Sequence, residues 1–240
     1  MTESQDFKTE PKPAAKGIDP ELTDPAAAAD PNAAADPNAV AERRRRIVAA
    51  GHSGDVTLAR AGLSDPSPEV RAASLGALDR LDALDGMELS ELLSDNSALV
   101  RRRGALIAAT RSDAGEALSA LLNDPEPVVI EVAAFAWGER PEVPDSVLDR
   151  LVNLAIDHED SLCREAAVAA LGSIGDQRGL EAVIAACGDK ATVRRRAVLA
   201  LAAFDGEEVT AMLRSMLDDR DLQVRQSAEE LLAIELGEET

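Results

Sequence analysis

The chain has 240 residues and a formal charge of −20; 45% of its residues are hydrophobic and only 2% aromatic. That acidity disfavours nucleic-acid backbones, whose binding rests on neutralising phosphate with Lys and Arg, and it disfavours anionic lipid for the same reason. No apolar run approaches the roughly 20 residues that span a bilayer, the polar start Met1–Glu10 lacks the apolar core of a secretory leader, and Cys163 and Cys187 make no disulfide framework.

In chain order, residues 1–35 are rich in Pro, Ala, Asp and Lys and poor in bulky apolar side chains. Such a segment cannot bury enough surface to offset its ordering entropy, so a disordered acidic tail is predicted there. Residues 36–240 carry the pattern of a folded array. Its first piece, 36–51, reads as one amphipathic helix with Val40 as anchor and Ile47 and Val48 on the apolar side. The run Arg43-Arg44-Arg45-Arg46 supplies the polar outer face that a terminal cap requires. Nucleic acid or an acidic partner is the competing reading of those arginines, weakened by the absence of interleaved aromatics.

From Asp65 onward one unit returns six times, with anchors at Val70, Val100, Val129, Cys163, Val193 and Val224, spaced 30, 29, 34, 30 and 31 residues apart. A self-similar period in this range marks a stacked repeat protein. From each anchor, apolar or small residues fall at +4, +7 and +8, one face of a helix. The +4 residue is small every time (Ser74, Gly104, Ala133, Ala167, Ala197, Ala228), which predicts close approach of helices from neighbouring repeats. Asp65-Pro66 and Asp124-Pro125 suit helix starts, the carboxylate capping free N–H groups and proline tolerating the first turn. A shorter apolar pattern precedes every anchor helix after 55: 56–59, 87–93, 117–122, 147–154, 180–184 and 209–217. Two helices per unit, each pair buried only against its neighbours, predict an all-α fold: an α-solenoid of about six two-helix repeats behind an N-terminal capping helix.

Asp65…Val70-Arg71…Ala77-Leu78 and, more fully, Arg164-Glu165-Ala166-Ala167-Val168-Ala169-Ala170-Leu171-Gly172 resemble the HEAT-repeat family in its short, phycobilisome-lyase-like form. The resemblance runs from about residue 36 to the C-terminus. It implies that Arg71, Arg101, Arg164, Arg194 and Arg225, each with an Asp five to seven residues before it, form an inter-repeat ladder joining one repeat's loop to the next helix. A guanidinium suits that work because it donates two parallel hydrogen bonds. Ile130 interrupts the ladder, and the 34-residue spacing after it is expected to make a longer turn over Glu139–Pro144, dividing the array into halves with a bend.

The resemblance also implies that second helices line a concave face. Residues at +2 and +6 then point away from the buried stripe, which places Leu106, Phe135 and Leu199 in water with Arg102, Arg103, Glu131, Arg195 and Arg196 around them. These eight are the candidate partner-binding residues, and the expected partner is a protein: an acidic or amphipathic segment. The competing expectation is that curvature half-buries the +6 residues as core rim. Enzymatic relatives imply features that this chain lacks. The deoxyhypusine-hydroxylase branch carries several His-Glu pairs on two irons, whereas here only His158-Glu159 occurs and His52 lies more than 100 residues away. The phycobilin-lyase branch needs a tetrapyrrole pocket, but Trp137, the one tryptophan, falls at the core position +8. DNA glycosylases of this build need a cationic groove. No Gly-rich phosphate loop, nucleophile elbow or CxxC pair is present. The expectation is therefore a cytoplasmic, non-catalytic interaction scaffold with no cofactor, metal or catalytic residue. The alternatives are a lyase- or hydroxylase-type enzyme, or an assembly factor for such a client.

Overall fold

The computed structural model describes residues 36–235, and among them every regular element is helical. The predicted tail 1–35 lies outside the described residues. Thirteen α-helices follow one another: α1 (Pro37–Ser53), α2 (Val56–Ala61), α3 (Pro68–Arg80), α4 (Gly86–Leu92), α5 (Ala98–Ala108), α6 (Gly115–Ala120) and α7 (Pro127–Gly138). Next come α8 (Asp145–Asp157), α9 (Ser161–Ile174), α10 (Leu180–Ala186), α11 (Ala191–Ala200), α12 (Glu207–Met216) and α13 (Leu222–Glu235). The odd-numbered helices pack each against the next in one row. The even-numbered ones lie along that row as first helices of six repeats, and α1 stands alone as the cap. The fold is an α-solenoid, and no described helix is long and apolar enough to cross a membrane.

The small residues at +4 do a different job from the expected one. A Cβ on Gly104 would meet Leu93 at 3.0 Å and Leu89 at 3.7 Å, side chains of its own repeat's first helix and the residue just after it. At Gly104, and at Ser74, whose Oγ lies against Gly62, the +4 position therefore seats the first helix on the second within a repeat. Close approach between repeats occurs elsewhere. Gly138 faces the Cα of Ala170, and Gly172 faces Ala200 so tightly that an added Cβ would lie 2.6 Å from its Cβ. A bare backbone at +9 of one second helix meets an alanine at +7 of the next.

Two helix starts also differ from expectation. The prolines at the first helical positions of α3 and α7 are Pro68 and Pro127, while Asp65 and Asp124 lie outside the helices. There Oδ1 of Asp65 accepts the N–H of Ser67, and Oδ1 of Asp124 that of Glu126. Asp95 and Asp219 hold Ser97 and Asp221 the same way, and Asp189 holds Lys190.

These pinned carboxylates receive the arginines of the repeat before. Arg71 donates Nε and Nη2 to Asp95 at 2.8 and 2.8 Å, Arg101 to Asp124 at 2.6 and 2.8 Å. Arg164 meets Asp189 at 2.6 and 2.9 Å, and Arg194 meets Asp219 at 2.8 and 2.9 Å. The remaining Nη1 donates to a carbonyl of the arginine's own loop: that of Asp65, Asp95, His158 and Asp189 respectively. Each rung thus ties a second helix to its own loop and to the loop of the following repeat, the reverse of the direction the resemblance implied.

The first rung corrects the register of the cap. Arg43 forks onto Asp65 at 2.9 and 3.2 Å, so it occupies the ladder position +1 and the anchor falls at Glu42, two residues beyond Val40. Ile47, Ala50 and Gly51 are consequently buried, and Val48 is 40% exposed. No repeat precedes α1 among the described residues, and the positions equivalent to 0, +4 and +7 carry the exposed Glu42, Arg46 and Ala49.

The ladder breaks once. Ile130, 3% exposed, stands where an arginine would donate, and His158 stands where the receiving aspartate would be. His158 keeps the other half of the aspartate's work: its Nδ1 accepts the N–H of Asp160 at 3.1 Å. Asp157 is the last residue of α8 and receives no rung. The long spacing here adds nothing to the turn, since 109–114 and 139–144 are equal in length. Four of the five extra residues lengthen the stretch that begins with α8, compared with α6 and its closing 3-10 turn, and the fifth lengthens α7. Because α7 and α9 still pack closely through Gly138 and Ala170, the ladder is interrupted and the stack is not.

Candidate partner-binding face

On the side of the second-helix row turned away from the first helices, three of the +6 residues stand in solvent. Leu106, Phe135 and Leu199 are 46%, 48% and 51% exposed, so they are not core rim. Two further residues that the sequence reading missed join them, Leu99 on α5 and Val128 on α7, both exposed. Each lies seven residues before Leu106 or Phe135, two helical turns back on the same face, and that interval was the signal available to find them. Half-buried Leu162 and Ala169 fill the corresponding places on α9. An apolar band therefore crosses α5, α7, α9 and α11.

The cations around this band are not equivalent. Arg102 is exposed and has no ion-pair partner among the described residues. Arg103 lies back across the backbone of Gly76 on α3 and is half-buried. Arg195 forks onto Asp221 of the next repeat, and those hydrogen bonds hold the Asp221 carboxyl down to about 2. Arg196 stands 3.8 Å from Glu165. The expected rim of free arginines is thus half engaged within the protein. In the middle of the band the charge is negative, with Glu131 on α7 and Glu165 on α9. Glu131, Phe135, Leu162, Glu165, Ala169 and Arg196 line one groove of about 320 Å³ between α7, α9 and α11. Of the eight sequence-derived residues, the structure brings Glu131, Phe135 and Arg196 together there. Leu106 and Arg102 flank it on α5, Leu199 and Arg195 on α11.

A larger hollow, about 1020 Å³, lies between the loops 109–114 and 139–144. Its basic groups are already engaged: Arg111 pairs with Asp113 at 2.7 Å, and Arg140 sits 4.8 Å over the Trp137 ring while donating to the carbonyl of Ala108. Burial lowers the Arg140 pKa. Trp137 is buried as the +8 position predicts, and its indole N–H has no acceptor among the described residues. With Glu116, Glu139 and Glu142 on its wall and both its arginines engaged, this hollow lacks the open cation of the band. The two thiols are buried, and desolvation pushes Cys163 up to about 11 and Cys187 up to about 12. Neither is a nucleophile near neutrality. Among the described residues no group of three His, Cys, Asp or Glu side chains is placed to hold a metal ion.

Comparison with known proteins gives one family and several folds. A profile described as HEAT repeats matches residues 114–192 and 148–233, together half of the chain. An engineered protein solved by crystallography superposes with a TM-score of 0.57 at 20% identity, over 74% of this chain and 97% of the other. A designed armadillo repeat protein in complex with the peptide (KR)4 gives 0.52 at 19% identity, over 71% and 96%. Kap95p, from a structure with RanGDP, gives 0.52 at 16% identity, over 78% of this chain and 32% of its own. At these identities the likenesses show the fold alone. No curated protein sequence matches the chain.

Proposed function

We propose, from the premise that this chain belongs to the HEAT-repeat family, that it is a non-catalytic scaffold holding a protein segment along the concave face of its second-helix row. One observation carries the reading: Leu99, Leu106, Val128, Phe135 and Leu199 form an exposed apolar band on a protein whose surface is otherwise strongly acidic. Contiguous exposed apolar surface marks contact sites. The band crosses four neighbouring helices, about 25–30 Å at the usual 8–10 Å interaxial distance. That length fits a helix of about 18–20 residues at 1.5 Å rise. The charges order the segment as well: acidic residues suit the end at Arg102, and a basic residue suits the centre between Glu131 and Glu165. The amphipathic form of the expected partner fits this pattern better than a uniformly acidic one. The designed armadillo protein with a bound peptide and Kap95p with RanGDP support the reading by analogy of architecture.

The test is affinity purification of the full chain from its native cell, with mass-spectrometric identification, repeated with L106D/F135D and with R102E. Neither Leu106 nor Phe135 belongs to an ion pair or the core, so helix content should stay unchanged. Partners lost in both variants support the proposal, and partners recovered equally with all three chains refute it.

A further inference from the structure

A stretch of this same chain complements the apolar band in charge. At the centre of the band stand Glu131, half-buried and with no ion-pair partner among the described residues, and Glu165, 3.8 Å from Arg196. Arg102 is open at the α5 end. Three of the chain's four lysines, Lys8, Lys12 and Lys16, lie within residues 7–18, between the apolar Phe7 and Ile18 and with Glu10 as the one acid. Asp19 and Glu21 come just after.

Length fits as well as charge. The centre of the band, between α7 and α9, lies three to four helix spacings from α1, about 30–35 Å at the usual interaxial distance. Lys12 stands 24 residues before Asp36, where the described chain begins. A flexible chain of that length spans about 25–30 Å root-mean-square and about 80 Å at full stretch. A tether matched to its span holds its end at a high effective concentration, of millimolar order. Pro11 and Pro13 favour extended backbone, in which ~3.1 Å per residue carries residues 7–18 over about 35 Å, enough to cross the four helices.

We infer, on the reading of the band as a segment-binding face, that residues 7–18 of the same chain lie along it until a partner displaces them. Tethered at α1, the segment enters at α5 and runs against the order of the helices. Ile18 meets Leu99 and Leu106, with Asp19 and Glu21 beside Arg102. Lys16 and Lys12 reach Glu131 and Glu165, whose helices stand one spacing apart, and Phe7 reaches Leu199. A partner then competes with an occupant of the same charge order, acid at the α5 end and base at the centre.

Paramagnetic broadening in the full chain tests this. Cys163 and Cys187 are buried, so a nitroxide attaches at S4C alone. Leu199 methyl signals should broaden most and those of Leu106 less. Met87, 84% exposed on the first helix α4, is the control. It lies nearer to α1 than Leu199 does, so a tail roaming the surface would broaden it at least as much. K8E/K12E/K16E sets like charges on Glu131 and Glu165 and should cut the excess at Leu199 at least about threefold. Labelled chains mixed with separately isotope-enriched chains should show no such pattern, because the contact lies within one chain. Equal broadening at Met87 and Leu199, indifference to the lysine changes, or a pattern arising between chains each overturn the inference. The same triple variant should capture about two- to tenfold more partner from the native cell, as the fraction of open bands rises. Unchanged capture also counts against the tail as competitor. Capture indifferent to L106D/F135D would instead sink the segment-binding reading, while the broadening, measured with no partner present, would still report the tail.

Discussion

Arg101 and Asp124 lie 23 residues apart in the chain and meet through hydrogen bonds of 2.6 and 2.8 Å, with the carboxylate side chain only 3% exposed. The same guanidinium holds the carbonyl of Asp95 at 2.8 Å. One side chain thereby fixes the end of its own loop and the position of the following repeat.

Replacing Arg101 by Ala strands a buried carboxylate with one backbone donor. Loss of one partner from a buried pair costs ~3–5 kcal/mol, whereas an exposed pair is worth about 1 kcal/mol or less. Urea denaturation of R101A should show the larger loss. R60A, which removes the more exposed Arg60–Glu88 contact, should show the smaller one. Similar losses for the two would mean that the ladder is ornamental.

Acid should dismantle the ladder in a defined window. Hydrogen bonds from Arg164 and Arg194 hold the Asp189 and Asp219 carboxyls below their ordinary value. At Asp95 burial pulls upward, but Arg71 and the Ser97 N–H outweigh it and the net shift is again downward. A carboxylate with a depressed folded-state pKa contributes stability that is complete above its unfolded value, about 3.9, and is lost as pH falls through the folded one. Thermal midpoints should therefore change little through loss of these rungs between pH 7 and 5, and fall progressively below pH ~4. A midpoint that holds steady down to pH 2 would contradict the assignment.

The broken rung can be rebuilt. I130R alone buries a guanidinium with nothing to receive it and should destabilise, and H158D alone should change little. Together they restore the arrangement of the other rungs. A double-mutant cycle should give a favourable coupling of about 1–3 kcal/mol. Additive effects would show that the spacing of α7 and α9 does not bring positions 130 and 158 together.

Gly172→Ala raises helix propensity by about 1 kcal/mol. It also drives a methyl to within 2.6 Å of the Ala200 Cβ, and overpacking costs about 1–3 kcal/mol. Chemical denaturation should register net destabilisation, since two helix backbones have to separate. A gain in stability would mean that α9 and α11 move apart freely.

The period of the anchors and the alternation of apolar positions were enough to place the helices from 36 onward, because a helix buried on one face writes its contacts into its own sequence every three or four residues. That Leu106, Phe135 and Leu199 share one face was readable for the same reason, whereas the choice between solvent and core rim fell to the structure. Which helix a small residue faces was not readable: Gly104 and Gly172 are equally bare in the sequence, yet one receives Leu93 of its own repeat and the other Ala200 of the next.

The chain by itself settled that helices pair and stack, since that follows from local periodicity. Only the tertiary structure decided which charges remain open. Arg102 and Arg195 occupy the same position in their repeats, and Arg195 is closed by Asp221, 26 residues away, while Arg102 is not. Pairing at that range depends on where the next loop lies, and the spacing within one repeat does not contain that distance.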